Sequence, residues 1–260
     1  EDYKYLKDNN IMPLQGWEYT EFNFFNNLSN FFGLGLLIAG ISIFMSDMVS
    51  GEYTPATLKF LLVQPVKRGK ILFSKFIVSV VTVLSLIILP QIIGIGIVNI
   101  TNNIEASNYP VRIEQKYEKQ FDQNSQEMIM EQVPNTSKMV TNNEFVLRSF
   151  GYQTIFIITA CSVVFMISTI FKSSMISMAV SVILTIFLTI GTQTIGTIRD
   201  YSHLLFTTYA DSSSVINSNL PLMYQNTNLT IVNGIICMTL TSIIAYTISH
   251  INFTKKDILI

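Results

Sequence analysis

The sequence is poor in charge. Only 13% of its 260 residues are Asp, Glu, Lys or Arg, whereas about 25% is usual in globular domains. Hydrophobic residues make up 49%, and the mean hydropathy is +0.43. So few charges cannot cover the surface of a soluble domain of this size, and a net charge of -1 provides no basic field for nucleic acid. The composition therefore argues against both a soluble fold and a nucleic-acid-binding function.

Residues for catalytic and metal chemistry are equally scarce. The two cysteines lie inside apolar runs, which predicts buried thiols and neither a disulfide nor a metal site. The only two histidines, His203 and His250, are too far apart for an HExxH motif. Neither a GxxxxGK[ST] phosphate loop nor a GxSxG nucleophile motif occurs. We therefore expect no catalytic residue, no metal site and no cofactor, and no ATP bound through a phosphate loop.

Charges are also missing from five long stretches of the chain. A charge at the centre of a membrane helix costs about 2.5–3.5 kcal/mol, and about 20 apolar residues cross a bilayer. Buried helices of a soluble core are the alternative, but these are usually about 10–14 residues long. The predicted fold class is an all-α polytopic membrane protein with a single transmembrane domain over 1–260. Its five spans are predicted at about 24–46, 76–100, 149–171, 173–198 and 229–251.

Lysine and arginine near the span ends indicate the orientation. The connector 47–75 is densely basic, and the C-terminal tail carries Lys255 and Lys256. Both are predicted to be cytoplasmic, and alternation then places the short turn at Lys172 on the same side. An N-terminus outside the membrane, with five spans, leads us to expect a further membrane helix upstream of Glu1. The external segments are predicted at 1–22, 101–148 and 199–228.

Two of the external segments carry structural signals. Segment 105–144 is polar, and its stretch 111–130 is bounded by prolines, which predicts a small external helical cap. A solvated loop that binds nothing is the alternative. Segment 201–228 mixes apolar residues with Ser, Asn and Pro, a pattern that favours short interfacial or re-entrant helices.

The predicted spans contain no Asp, Glu, Lys or Arg, which argues against an ion-coupled carrier. Gly33, Gly35 and Gly40 lie in the first span, where they permit close helix approach or a kink.

The connector 47–75 is also predicted to contain a short amphipathic helix. Thr54 is a suitable N-cap, Pro55 suits the first helical position, and Pro65 ends the helix after about two turns. Three leucines share one face of this helix: Leu58, Leu61 and Leu62. Five cations lie in or shortly after this helix in the sequence: Lys59, Lys67, Arg68, Lys70 and Lys75. An apolar stripe at this surface needs a partner, which is either lipid headgroups or another protein.

This connector resembles that of the ABC-2-type transporter permeases, the membrane subunits of ABC exporters. Their pattern is a Glu, a Gly-Thr four residues later, apolar residues with a Lys, then Pro-x-x-Arg and a Lys that leads into the next span. Ala56 stands where the family usually has glycine, and the C-terminal run from Phe253 to Ile258 is also similar to the family's ending. The matching residues are Glu52, Thr57, Leu58, Lys59, Leu61, Leu62, Pro65, Arg68 and Lys75.

The resemblance implies that helix 55–64 is a coupling helix that docks in a cleft of a separate ABC ATPase subunit, with a second contact near Lys172. It implies two ATPases, which bind the ATP, and two permeases as a homo- or heterodimer in the bacterial plasma membrane. Small members of this kind commonly export peptide antibiotics or hydrophobic drugs. Glu52 is expected to hold the helix through an ion pair with Arg68 or Lys75.

Two other functions stay open at this point. A membrane sensor or scaffold would bind a ligand at segment 105–144. An ion-coupled carrier is the other alternative, and the absence of charged residues from the spans argues against it. Neither the residues nor the resemblance identifies substrate-binding residues.

Overall fold

The computed structural model describes residues 2–14, 18–53, 66–101, 109–122 and 127–255. Five of its helices are long and apolar enough to cross a membrane, which confirms the predicted number of spans and the helical polytopic class. We call them spans 1 to 5. They are Glu21–Glu52, Arg68–Thr101, Asn142–Ile170, Ser174–Thr194 and Ile231–Lys255.

The helix ends form two groups. At one end of the bundle the ring of Phe22 in span 1 packs edge-on against Phe145 in span 3, with centroids 4.9 Å apart. At the opposite end the backbone N–H of Val49 donates to Ser168 Oγ at 3.1 Å. We call the first the ribbon end, because the β-strands lie there, and the second the basic end, because Lys67, Arg68, Lys70, Lys172 and Lys255 lie there.

Span 3 is the central helix. In its most apolar 18-residue window 72% of residues are buried, against 39% or less in the other four spans. Span 5 packs along it, where Thr159 Oγ1 donates to the Met238 carbonyl at 3.1 Å and the hydroxyls of Ser162 and Ser242 are 2.9 Å apart. Small side chains let the two helices approach closely enough for these bonds, as is common in membrane bundles.

Large apolar side chains are exposed on the outer faces of spans 2, 4 and 5. An apolar surface of this extent is unfavourable in water but matches the hydrocarbon of a bilayer. Examples with their exposed fractions are Leu86 60%, Ile93 63%, Ile183 68%, Val232 64% and Ile243 59%.

Span 1 is broken in its middle. Its first helical part, Glu21–Phe31, is capped by Thr20, whose side chain accepts from Asn23 N. A π-helical turn, Phe32–Leu36, follows, and Gly35 within it has φ +88°, a left-handed conformation that favours glycine. The helix then resumes as Leu37–Met45, and a 3-10 turn, Ser50–Tyr53, ends the span. The glycines of this span were expected to permit a kink, and Gly35 is where it occurs.

Span 4 is shorter than predicted. Its helix ends at Thr194 because Ile195 is extended, with φ -102° and ψ +111°, and a separate short helix, Gly196–Asp200, follows. The charge-free window continued to residue 198, since a turn of apolar and small residues carries no charge to mark it.

The helical cap predicted over 111–130 is wrong. The segment forms four strands, β1 (Pro110–Ile113), β2 (Tyr117–Asp122), β3 (Glu127–Gln132) and β4 (Lys138–Thr141). β1 pairs antiparallel with β4 and β2 with β3, so that one pair extends the other as a nested hairpin, which we call the ribbon. Glu, Lys, Gln and Met in this stretch are good helix formers, but cross-strand pairs such as Val111 with Val140 and Phe121 with Met128 determine the structure.

Glu114 connects the ribbon to span 3. Its carboxylate accepts from Lys138 Nζ at 2.5 Å and from Arg148 Nη1 at 3.2 Å, and Arg148 also binds Glu144 at 2.6 Å. The hydrogen bond from Lys138, helped by the nearby Arg148, lowers the pKa of Glu114 below its ordinary value. The start of span 3 is fixed in the same place, since Thr141 Oγ1 caps it by accepting from Glu144 N at 3.3 Å.

Short helices fill the segment between spans 4 and 5, as its mixed composition predicted. After Gly196–Asp200 come two 3-10 turns, Ser202–Leu204 and Phe206–Ala210, and the helices Ser212–Ile216 and Leu220–Tyr224. Every residue from Phe206 to Ile216 is buried, and we call this stretch the plug. It packs between spans 1 and 3, where Phe206 contacts Phe156 with ring centroids 6.3 Å apart. Its depth in the bilayer stays a prediction.

Candidate functional site

The predicted ATPase-coupling residues all belong to the basic end or to the connector that joins spans 1 and 2. Four of them, Glu52, Arg68, Lys75 and Lys172, are described by the structure. The others lie outside the described residues, as does the predicted helix 55–64 itself. They are Thr57, Leu58, Leu61, Leu62 and Pro65.

Glu52 forms an ion pair with Lys75. The Glu52 carboxylate, in the 3-10 turn that ends span 1, meets the Lys75 ammonium in span 2, and only 24% and 19% of the two side chains are exposed. Exposed pairs contribute about 0.2–1 kcal/mol, and shielding from solvent reduces the screening of this one. Lys75 is one of the two partners that the sequence led us to expect, and the structure shows it in a salt bridge with Glu52. Both ends of the connector are thus held at one point.

Ser168 attaches the end of span 1 to span 3. Its hydroxyl oxygen accepts from the backbone N–H groups of Val49 and Ser50, each at 3.1 Å. Ser50 Oγ in turn donates to the Ser46 carbonyl at 2.7 Å. The side chains of all four residues are buried, so water cannot replace these bonds.

Lys172 lies at the turn between spans 3 and 4. The chain is extended at Phe171 and Ser173, and the Lys172 side chain is exposed between them. Span 4 begins at once, and Ser177 N donates to the Ser173 carbonyl at 3.0 Å in its first turn. The 3-10 turn that carries Glu52 contacts both span 3 and span 4. Glu52, Lys75 and Lys172 therefore belong to one junction of four spans, which we call the basic-end junction.

The sequence did not predict the role of Ser168. Its partners are about 118 positions away in the chain, and a serine near the end of a membrane helix is an ordinary residue. Asp211, at the ribbon end, was also missed as a site. It precedes three serines, Ser212 to Ser214, which is the only local signal it gives.

Among the described residues, no group of three or more His, Cys, Asp or Glu side chains is arranged to hold a metal ion. Cys161 and Cys237 are free thiols, the first buried and the second half-buried. His203 Nδ1 and Asn226 Nδ2 are hydrogen-bonded at 3.3 Å. The ring of His250 packs beside the ring of Tyr246 in span 5.

The comparisons with known proteins place the chain in a family. The sequence profile described as "ABC-2 family transporter protein" matches residues 30–258, which include all five spans from the middle of span 1 onward. No curated protein and no solved structure gave a match. Because the profile covers far more than half of the sequence, and because the five helices have the length and composition of membrane spans, the chain belongs to the ABC-2 family of transporter proteins.

Proposed function

We propose that the protein is the membrane-spanning permease subunit of an ABC exporter. ABC-2 permeases are in general non-catalytic membrane components that work with an ABC ATPase. In this proposal a separate ATPase hydrolyses ATP, and the chain moves a hydrophobic or peptide substrate outward across a bacterial plasma membrane. Two permeases, identical or related, and two ATPases form the transporter. The chain itself supplies no catalytic residue and no cofactor.

The basic-end junction is the observation that carries this proposal. The connector with the leucine stripe leaves span 1 next to Glu52 and enters span 2 before Lys75, and these two residues are paired. The same turn is bonded to span 3 through Ser168. A displacement of the connector by a docked ATPase would therefore act on several spans together. Lys172, exposed at the same end, supports a second contact with the ATPase.

The charges support a cytoplasmic basic end. Lys67, Arg68 and Lys70 lie next to the start of span 2, and Lys255 ends span 5 on the same side of the bundle. Positive residues close to span ends favour the cytoplasmic side. An ATPase and its ATP are in the cytoplasm, so this orientation brings the connector to the side where docking is required.

The first test is co-purification. We expect the tagged permease to retain the ABC ATPase encoded beside its gene. Leu61→Asp should weaken this complex about a hundredfold, because a charge stranded at a desolvated contact costs a few kcal/mol and each 1.4 kcal/mol is a factor of ten. Membrane insertion should not change. The amount of ATPase recovered per permease measures the effect.

Val66→Asp is the matched control for this variant. Val66 is 46% exposed and follows the predicted helix, so the same charge added there should leave the complex intact. If the leucine stripe instead lies in lipid headgroups, Leu61→Asp will release the connector from the membrane and leave ATPase recovery unchanged. That result would contradict the docking assignment.

A second prediction concerns the Glu52–Lys75 pair, through which the proposal transmits movement of the connector to span 2. Glu52→Gln should leave the ATPase bound but reduce substrate-stimulated hydrolysis and transport severalfold, because the connector loses its ionic link to span 2. Glu52→Lys combined with Lys75→Glu should recover part of the activity by restoring the pair in reverse. The measurement is hydrolysis by the purified complex, with and without substrate.

The control for transmission is Asp47→Asn. Asp47 is exposed one turn before Glu52 and carries the same charge, but its removal leaves the ion pair in place. Equal loss of stimulation in Asp47→Asn and Glu52→Gln would show that total charge at this end, and not the pair, matters.

A further inference from the structure

A cleft of about 700 Å³ opens at the ribbon end, between the first half of span 1, the end of span 4 and the stretch from the plug to Tyr224. Its volume is in the usual range for sites that bind small molecules. The wall combines amide side chains, among them Asn30, Gln193 and Asn219, with apolar ones. Three apolar residues of the wall are largely exposed, Phe31 at 55%, Leu34 at 65% and Met223 at 60%.

Asp211 lies in the wall of this cleft, and only 5% of the residue is exposed. Its Oδ1 accepts from Ser29 Oγ at 2.7 Å and from Ser214 N at 3.1 Å, and its Oδ2 accepts from Ser214 Oγ at 2.5 Å. All of these donors are neutral. Within the described ranges, no Lys, Arg or His forms an ion pair with it. A buried carboxylate is costly unless a cation accompanies it.

Asp211 is also the N-cap of the helix Ser212–Ile216, through Ser214 N. Capping alone does not require a charge, because Asn and Ser cap a helix about as well as Asp. The cap bond also uses only one of the two carboxylate oxygens. The negative charge at this position therefore calls for another explanation.

Thr208 provides an independent indication of a ligand. The residue lines the same cleft and is 3% exposed, and its buried Oγ1 has no hydrogen-bond partner among the described residues. More than about 90% of buried polar groups in proteins are hydrogen-bonded. An unpartnered hydroxyl in a residue of the cleft wall supports a bound molecule with a polar group beside Asp211.

The break in span 1 forms part of the cleft. A Cβ added to Gly33 would lie 2.8 Å from Asp211 Cβ, so the backbone of the π-helical turn passes directly over the carboxylate residue. Phe31 and Leu34, on either side of Gly33, contribute apolar wall. A charged group beside an apolar rim is complementary to an amphipathic molecule with a cationic head.

We propose that this cleft binds the ammonium group of an amphipathic substrate, with Asp211 as the counter-ion. Thr208 Oγ1 and the amide oxygens of the wall accept the remaining N–H bonds, and the apolar rim contacts the hydrophobic part. This proposal rests on the proposed function for one point only, namely that the bound molecule is a transported substrate. Binding itself does not depend on the ATPase.

The test uses the full chain, without an ATPase, in phosphatidylcholine nanodiscs. Octylamine, octanol and octanoate serve as probes with the same alkyl chain and different head groups. Octylamine should raise the unfolding temperature of the wild type with a saturable dependence on its concentration, and the other two should not. Asp211→Asn, which keeps a capping oxygen, should weaken the octylamine response about tenfold or more, since a close charge pair is lost. Thr208→Val, of similar shape, should weaken it severalfold.

A second measurement covers the case in which Asp211→Asn does not fold. A cysteine at position 223, introduced as Met223→Cys on the exposed rim, should react with a maleimide more slowly when octylamine is present. The same reaction on protein without the added cysteine measures the background labelling of Cys161 and Cys237, which is subtracted. Equal responses to octylamine and octanol, an unaltered response in Asp211→Asn, or protection by millimolar Ca²⁺ alone would each overturn the proposal. Because neither assay contains an ATPase, these failures are distinct from a failed co-purification.

Discussion

Gly234→Ala is expected to destabilise the protein severely. Gly234 lies in span 5 where it faces span 3, and an added Cβ would overlap the hydroxyl of Tyr152 and lie 2.8 Å from the ring of Tyr209. Both tyrosines are buried, at 3% and 0% exposure, so neither has free space to move into. Overpacking of this kind typically costs about 1–3 kcal/mol, and occasionally more. Thermal unfolding in nanodiscs and the yield of folded protein measure the effect.

Removal of the Tyr152 hydroxyl should rescue this variant in part. Tyr152→Phe deletes the atom that the added Cβ overlaps, so the double variant is expected to be more stable than Gly234→Ala alone, although the contact with Tyr209 remains. Gly151→Ala is the control, because a Cβ there meets nothing within 4 Å and the residue is also helical. If Gly234→Ala and Gly151→Ala are equally stable, the close approach of spans 3 and 5 described above is wrong.

Ser168→Ala should loosen the basic-end junction. The substitution leaves the N–H groups of Val49 and Ser50 without an acceptor in a buried place, which costs about 1–3 kcal/mol for each group. Hydrogen exchange at these two amides should accelerate, and substrate-stimulated hydrolysis by the complex should fall. Ser168→Thr, which keeps the oxygen, should behave more like the wild type.

Ser162→Ala is the matched control on the same helix. Ser162 Oγ is bonded to the Ile158 carbonyl and to Ser242 Oγ, so its loss leaves no backbone N–H without a partner. We expect a smaller loss of stability and no change in exchange at Val49 and Ser50. Unchanged exchange in Ser168→Ala as well would show that the two amides do not depend on this hydroxyl.

The spans could be predicted because the bilayer imposes a simple rule. A charge in hydrocarbon is costly, so the positions of charges almost define the helices. The rule fails where a helix ends without a charge, as at Ile195. It also cannot detect a break inside a span. The break at Gly35 was indicated by the glycines of span 1 instead.

The ribbon could not be predicted in the same way. Outside the membrane the strand pairs depend on residues that are far apart in sequence, such as Val111 and Val140, and the local helix propensity indicates the opposite. Glu114, with its left-handed φ of +57° and its bonds to Lys138 and Arg148, shows how tertiary contacts decide this segment.

The candidate sites also include one that could be predicted from the sequence and two that could not. The ion pair of Glu52 could be anticipated from the charges near the connector, because few partners were available. The acceptor at Ser168 and the carboxylate cleft at Asp211 depend on contacts across more than 100 residues, and the hydroxyls involved resemble many others in the chain.

Span 1 is mechanically two rods joined at Gly35. The π-helical turn and the left-handed residue interrupt the axial series of hydrogen bonds that makes a helix stiff, so torsion applied to the rod that carries Glu52 is absorbed at the joint. Span 3 is continuous from Asn142 to Ile170, and it holds the Ser50 turn near one end and contacts the plug toward the other. Span 3 is therefore the stiff connection between the basic end and the cleft, and the two rods of span 1 pack against it as separate segments.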